Sequence, residues 1–243
     1  GLIVDIYGST AVVQAHSAGM HYARNNIAEA IVNIMQGRVK AIYYKSGTTL
    51  PFADEMNATE GFLLGKSSDN IALEYGIKFH IDWINGQKTG FFVDQRENRK
   101  LVEQYANGRK VLNMFCYTGG FSAYAIRGGA ELVHSVDSSS KAVDLTRENI
   151  SLNFPNCNNH EAYAEVLAEH AARELRPYNI RPSCICKAPR RRAQCAAWLP
   201  KAECKSLRKN SQRRNIVYVQ LFASHKQGAV PPCRFQRRCP SRT

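Results

Sequence analysis

The chain opens with short blocks in which apolar, β-branched residues dominate. "LIVDIY" (2–7) and "TAVVQAHS" (10–17) are two such blocks, split by Gly8-Ser9, and together they predict a β-hairpin. The rhythm then changes. In "MHYARNNIAEAIVNIM" (20–35), Ile27, Ala30, Ile31 and Ile34 recur at helical spacing, which predicts one amphipathic helix. "AIYYKS" (41–46) returns to a strand pattern, and "NIALEYGIKFHIDW" (70–83) predicts a second hairpin turning at Tyr75-Gly76. These elements make a small α+β subdomain over roughly 1–85, with no internal repeat.

A second arrangement begins near Lys110. "KVLNMF" (110–115) is a near-continuous apolar run of the kind found in buried parallel strands. It is followed by the loop "CYTGG", the helix pattern "FSAYAIR" and a stop at Gly128-Gly129. "LVHSVD" (132–137) is a further strand, and "SSKAVDLTRENISLN" (139–153) a further helix, with Ser138 to Ser140 available as N-caps. This β-α-β-α order predicts part of a doubly wound parallel sheet, which binds ligands at the carboxyl ends of its strands. Gly119 and Gly120 are placed to let the backbone approach a ligand beside a helix N-terminus. Asp137, at the next strand end about 20 residues on, suits a ribose diol. The loop lacks the G-x-G-x-x-G spacing of a dinucleotide site, so the pattern favours a different adenosine-containing cofactor.

Composition changes the picture at one place. The net charge of +13 would point to nucleic acid or acidic membrane. All of the excess sits late: residues 166–243 hold 18 Lys and Arg against 3 Asp and Glu, while residues 1–165 hold 15 against 17. Six of the eight cysteines lie in the same stretch (Cys184, Cys186, Cys195, Cys204, Cys233 and Cys239). No run of about 18 apolar residues suggests a transmembrane helix, no signal-peptide pattern opens the chain, and the expected location is cytoplasmic. His16, His21 and His80 stand alone, without a second ligand at metal-binding spacing. They read as surface or internally satisfied residues, and no metal is expected.

Three segments carry a longer resemblance: "GQKTGFFVDQRENR" (86–99), "VLNMFCYTGGFSAYA" (111–125) and "VDSSSKAVDLTRENISLN" (136–153). They resemble the class I S-adenosylmethionine-dependent methyltransferases that make 5-methylcytosine in large-subunit ribosomal RNA, members of which carry an N-terminal PUA-type RNA-binding domain. "GLIVDIYGSTAVVQAHSAGM" (1–20) is similar to that family's central domain. The resemblance implies an α/β fold, a Rossmann-like methyltransferase half-sheet preceded by a small α+β subdomain. It also implies S-adenosylmethionine (SAM) as cofactor and large-subunit ribosomal RNA as partner. The donor would lie over the glycine loop, lined by Asn113, Phe115, Tyr117, Thr118, Gly119 and Gly120, with Asp137 on the ribose. Lys88, Thr89, Asp94, Gln95 and Arg96 would form the near wall, although Lys88 and Arg96 also read as a surface ion-pair pattern. Cys116 reads as a small buried loop residue. The family's reaction needs a Cys thiolate that adds at cytosine C6, after which C5 attacks the methyl group and a base removes the C5 proton.

That resemblance implies three regions: 1–85 as the central α+β subdomain, 86–165 as the first half of the SAM-binding domain, and 166–243 as an irregular, basic, Cys-rich tail. Neither the family's Asp-Pro-Pro base-binding motif nor its Ser-Cys-Ser nucleophile motif occurs in the tail, so no catalytic residue is assigned. The tail's C-x-C spacing, without a C-x-x-C pair, argues against zinc. A basic RNA-binding tail and a disulfide scaffold are further readings. A one-nucleotide change of reading frame explains more. Shifted, Leu175–Pro189 can read Y-D-L-I-I-L-D-P-P-A-F-A-K-H-R, and Arg213–Gln227 can read G-G-I-L-F-T-F-S-C-S-Q-V-I-S-K, restoring both motifs in order. The expectation is therefore a frameshifted fragment, shortened at its N-terminus, whose tail lacks the strands to finish the sheet and leaves an edge exposed. Oligomeric state is left open.

Overall fold

A computed structural model describes residues 1–51, 56, 58–66 and 70–165, together with the backbone of 216–220. The first hairpin forms as its β-branched runs require: β1 (Leu2–Tyr7) pairs antiparallel with β2 (Thr10–Ala15), from Leu2 opposite Ala15 to Tyr7 opposite Thr10. The helical segment is two helices, α1 (Ala18–Tyr22) and α2 (Arg24–Met35), broken at Ala23. This corrects the single helix expected over 20–35. The buried stripe of α2 also differs, because Ala28 rather than Ala30 faces the core, with Ile31, Val32 and Met35 beside it, and Ile34 is exposed. Apolar residues cover more than one face of α2, and packing against the sheet selects one of them.

After α2 the chain enters β3 (Ala41–Tyr44), which lies parallel to β2, and β4 (Gly61–Leu64) adds antiparallel to β3. The sheet order is β1-β2-β3-β4. Both faces of this sheet are covered. Ala11, Val13, Ile42 and Tyr44 pack with α2, while Val12 and Tyr43 join a core containing Ile77, Phe79, Trp83, Phe91, Tyr124 and Ile150. The second hairpin, β5 (Ile71–Glu74) and β6 (Ile77–His80), turns at Tyr75-Gly76 as expected. It is bound to the later half of the chain: the backbone N–H groups of His80 and Lys78 donate to Asn149 Oδ1 and Asn153 Oδ1 at 2.7 and 2.8 Å. One apolar core therefore runs across the boundary expected near 85.

The second sheet is parallel, in the order β10-β7-β8-β9. Its members are β7 (Lys110–Met114), β8 (Leu132–Asp137), β9 (His160–Ala164) and β10 (Ile216–Gln220). Around it lie α3 (Arg96–Ala106), α4 (Gly120–Arg127) and α5 (Ser140–Asn153). Ser139 caps α5 by accepting from the Ala142 N–H at 3.4 Å. Ala106, Val111, Phe121, Ala125 and Val133 close the space between α3, α4 and the sheet. One side of β7 is covered by a tail segment, and among the described residues the sheet ends at β10 and β9. Ile216–Gln220 runs parallel to β7, with Ile216 opposite Lys110 and Gln220 opposite Met114. "IVYV" is rich in β-branched and aromatic residues, which suits a strand. The rest of the tail lies outside the described residues, including its cysteines, Leu175–Pro189 and the parts of Arg213–Gln227 on either side of β10.

Candidate cofactor-binding site

β7 ends at Met114, and the chain then turns through residues 115–119 before entering α4. Phe115, Tyr117 and Gly119 all have positive φ, at 58°, 48° and 74°. Two left-handed non-glycine residues in one loop are uncommon, and the surroundings hold them there. Thr146 Oγ1 on α5 donates to the Tyr117 carbonyl at 2.8 Å, and Asn149 Nδ2, one turn on, donates to the Thr118 carbonyl at 2.9 Å. From the opposite side, the Tyr117 N–H donates to Asp137 Oδ2 at 3.0 Å. Asp137 Oδ1 accepts from the Ser139 N–H at 3.0 Å. The strand-end carboxylate and the loop are thus one hydrogen-bonded unit.

Asp137 is half-buried, and each of its oxygens keeps a lone pair beyond these bonds. No side chain among the described residues caps α4, so the positive end of that helix opens beside the loop. Below, Asn113 is fully buried, with Nδ2 donating to Ser122 Oγ at 2.8 Å and Oδ1 without a partner among the described residues. Phe115 stands exposed at the strand end. A cleft next to the loop is lined by Phe91, Phe92, Arg99, Tyr117, Thr118 and Gly120. This arrangement can hold a vicinal diol on Asp137 and an anionic group at the α4 N-terminus.

The glycine pair is also constrained by packing beneath the loop. A Cβ on Gly119 would lie 2.6 Å from Thr146 Cγ2, and one on Gly120 would lie 3.1 Å from Arg99 Cδ and 3.6 Å from Phe91. Packing beneath the loop excludes a side chain at Gly119, whose left-handed φ adds to this, and leaves close quarters at Gly120.

The near-wall residues separate. Thr89 is buried, donates to Asp5 Oδ2 at 2.6 Å and lies 2.9 Å from the Tyr7 hydroxyl; its hydroxyl faces the N-terminal hairpin. Lys88 is exposed, its ammonium 4.8 Å from the Phe92 ring centre. Asp94 and Gln95 pair with each other at 3.2 Å in the 3-10 turn before α3. Arg96 Nε lies 3.3 Å from Glu74 Oε2, so its ion-pair reading is the one the contacts show. What reaches the loop from this segment is backbone: Tyr117 Oη accepts from the Gln87 N–H at 2.9 Å and donates to the Gly90 carbonyl at 3.0 Å. Burial pushes the Tyr117 phenol up to about 12, so it stays a donor at neutral pH.

Thr146 and Asn149 lie within the segment 136–153 that carries the resemblance, but no role was assigned to them from the sequence. Their signal is positional, since they share the buried stripe of α5 with Ala142, Val143 and Ile150. Cys116 is 1% exposed, and burial raises its thiol to about 12. His21 is buried on α1 and its Nδ1 lies 2.7 Å from the Tyr44 hydroxyl. Among the described residues no group of three His, Cys, Asp or Glu could hold a metal ion, and no helix is long and apolar enough to cross a membrane.

The family model for S-adenosylmethionine-dependent methyltransferases matches residues 56–183, just over half of the chain. The chain belongs to this family. The match begins before β5, takes in the whole loop and Asp137, and continues past the boundary expected near 165. The family's cofactor is SAM. A "Ribosomal RNA large subunit methyltransferase I" from Aeromonas hydrophila is 38% identical over 156 residues, covering 63% of this chain and 39% of that protein. The protein of that name from Escherichia coli O157:H7 is 36% identical over 155 residues, with the same coverage. The chain thus spans about 39% of the length of the curated relatives it matches. Among solved structures, a SAM-dependent methyltransferase from Streptococcus mutans superposes with a TM-score of 0.62 at 25% identity. It covers 73% of this chain and 45% of that one. A methyltransferase complexed with SAH, the demethylated cofactor S-adenosylhomocysteine, gives the same values. One from Agrobacterium tumefaciens shares the fold, at TM-score 0.52 and 23% identity.

Proposed function

We propose that this chain is the donor-binding half of a methyltransferase acting on cytosine C5 of large-subunit ribosomal RNA, and that as written it transfers no methyl group. The observation that carries the first part is the bond from the Tyr117 N–H to Asp137. It fixes a half-exposed carboxylate at the strand end beside an uncapped helix N-terminus, which is what a ribose diol and a charged amino-acid end require. Asp137 accepts the ribose hydroxyls. Tyr117, Thr118, Gly119 and Gly120 supply the loop backbone, Asn113 supports it from below, and Phe115 offers an aromatic face. Lys88, Asp94 and Gln95 are exposed or half-exposed and free to contribute; Thr89 is buried on Asp5, and Arg96, though exposed, is held by Glu74. When bound, SAM supplies an electrophilic methyl group.

The second part follows from chemistry. Cytosine C5 becomes nucleophilic only after a thiolate adds at C6. Cys116 is buried, with its thiol raised to about 12, and so offers no thiolate at neutral pH. Asp-Pro-Pro and Ser-Cys-Ser are both absent from the 243 residues, in line with a tail read out of frame. The relatives' name supports ribosomal RNA as the substrate class. The test is calorimetry with SAH plus transfer of a labelled methyl group from SAM to ribosomal RNA. Wild type binds SAH, Asp137→Ala weakens binding tenfold or more through loss of a charged hydrogen-bond acceptor, and no label enters RNA. Absence of SAH binding would overturn the donor-site reading, and label in RNA the inactivity. The charge of residues 166–243 favours a second reading, a noncatalytic RNA-binding module. RNA binding that disappears on deleting 166–243, without SAH binding, would select it.

A further inference from the structure

One peptide group links the N-terminal subdomain to the donor loop. Lys45, at the end of β3, is 8% exposed, and its ammonium donates to the Gly86 carbonyl at 2.5 Å. The N–H of the same peptide unit, on Gln87, donates to Tyr117 Oη at 2.9 Å. Tyr117 in turn presents its own N–H to Asp137 at 3.0 Å. A cation on a carbonyl polarises the peptide and strengthens the bond its N–H makes. The turn is shaped for this contact: a Cβ on Gly86 would lie 2.1 Å from the Asp82 carbonyl and 2.7 Å from Tyr117 Oη, so any side chain there would push the phenol away. Burial holds the Lys45 ammonium below its usual range, and the charges of Glu60 and Asp82 offset only part of that.

We propose that Lys45 is a positioning residue for the donor site, acting through the Gly86–Gln87 peptide and Tyr117 on the loop that carries Asp137. Donor affinity then depends on how the N-terminal subdomain is docked, although Lys45 itself touches no cofactor. The affinity arm of the test rests on the donor-site reading above. The exchange arm does not.

The experiment measures amide hydrogen exchange without ligand, and SAH affinity by calorimetry, on the full chain as wild type, Lys45→Met, Lys45→Arg and Tyr117→Phe. Lys45→Met is expected to speed exchange in peptides covering 115–120 by about tenfold, with β1–β2 unchanged, and to weaken SAH binding by a similar factor. Lys45→Arg, which keeps a charged donor, is expected to restore most of both. In the Tyr117→Phe background, Lys45→Met is expected to add nothing, because the link is already cut. Unchanged loop exchange in a folded Lys45→Met protein, or a fully additive loss in the double variant, would overturn the proposal. If wild type shows no SAH binding, the donor-site reading fails and the exchange data still decide the positioning role. If Lys45→Met does not fold, Tyr117→Phe against Lys45→Arg decides it: wild-type loop exchange in Tyr117→Phe would overturn the proposal.

Discussion

Arg99→Met is the sharpest test of how the loop is supported. Arg99 is 2% exposed and Glu74 is 8% exposed. The guanidinium donates from Nε and Nη2 to the two Glu74 oxygens, both at 2.7 Å, and from Nη1 to the Phe92 carbonyl at 2.9 Å. Its face lies 4.5 Å from the Phe91 ring centre. Glu74 also accepts from the Tyr124 hydroxyl at 3.0 Å. Burial alone would raise the Glu74 carboxyl. The bonds and charge of Arg99, with Tyr124 and Arg96, outweigh it and hold the group below its usual range. Removing one partner of a buried, bidentate pair costs about 3–5 kcal/mol, because the Glu74 charge stays buried with only the exposed Arg96 left to pair with it. For a protein of this size each kcal/mol moves Tm by roughly 2–4 °C, so the expected fall is about 6–20 °C. Replacing both partners, as Glu74→Leu with Arg99→Met, is expected to recover a large part of that fall, since no isolated charge remains. Arg99 packs under Gly120, so SAH affinity falls with stability in the single variant. The wild-type pair also has an acid limit. A carboxylate with a depressed folded pKa contributes its stability above the ordinary Glu pKa and loses it as pH falls through the lowered value, hence below about pH 4.3. Thermal melts followed by circular dichroism at pH 7 and pH 3.5 measure all of this. A single-variant loss under about 3 °C, or a double variant no more stable than the single, would refute the reasoning.

Gly119→Ala is expected to destabilise the chain by about 1–3 kcal/mol and to weaken SAH binding, because a left-handed φ meets a Thr146 contact of 2.6 Å; urea unfolding checks the first effect and calorimetry the second. His160 is held to about 4, first by burial and then by His134 and Arg147. Its neutral form is therefore favoured by folding, the unfolded chain binds the extra proton, and stability falls as pH drops from about 6.5 toward 4. His160→Gln should flatten that part of a Tm-versus-pH profile. Cys116, with a thiol near 12, is expected to resist iodoacetamide at pH 8 in the folded chain while the half-buried Cys157 reacts, as peptide mass mapping would show.

Local pattern made part of this architecture legible. Both hairpins, the strands at 110–114 and 132–137 and the helices that follow them form where β-branched runs, turn glycines and the Ser139 cap place them. What escaped depended on distant partners. The face of α2 that is buried is set by the sheet it covers. α3 reads as a polar segment because its most buried large side chain is an arginine, whose partner Glu74 lies 25 positions away. β10 reaches β7 across about 100 residues of chain, a pairing that periodicity cannot register. The loop after β7 and the strand-end position of Asp137 were legible as local pattern. Thr146, Asn149 and Lys45, which hold that loop, were not, because each acts on a backbone carbonyl and backbone partners leave no mark on residue type.

The glycine pair shows why a motif and its physical cause should be kept apart. Read along the chain, Gly119-Gly120 suggested a backbone laid bare for a ligand. In the fold, the space beneath each glycine is filled by Thr146, or by Arg99 and Phe91. In the proposed site the donor meets the loop amides and the Asp137 carboxylate, to which the Tyr117 N–H is bound. Loss of Gly119 would therefore act first on loop conformation and on affinity only as a consequence, whereas loss of Asp137 would act on affinity directly. The two substitutions should differ in kind: Gly119→Ala moves the unfolding midpoint and the SAH affinity together, and Asp137→Ala moves the affinity far more than the midpoint.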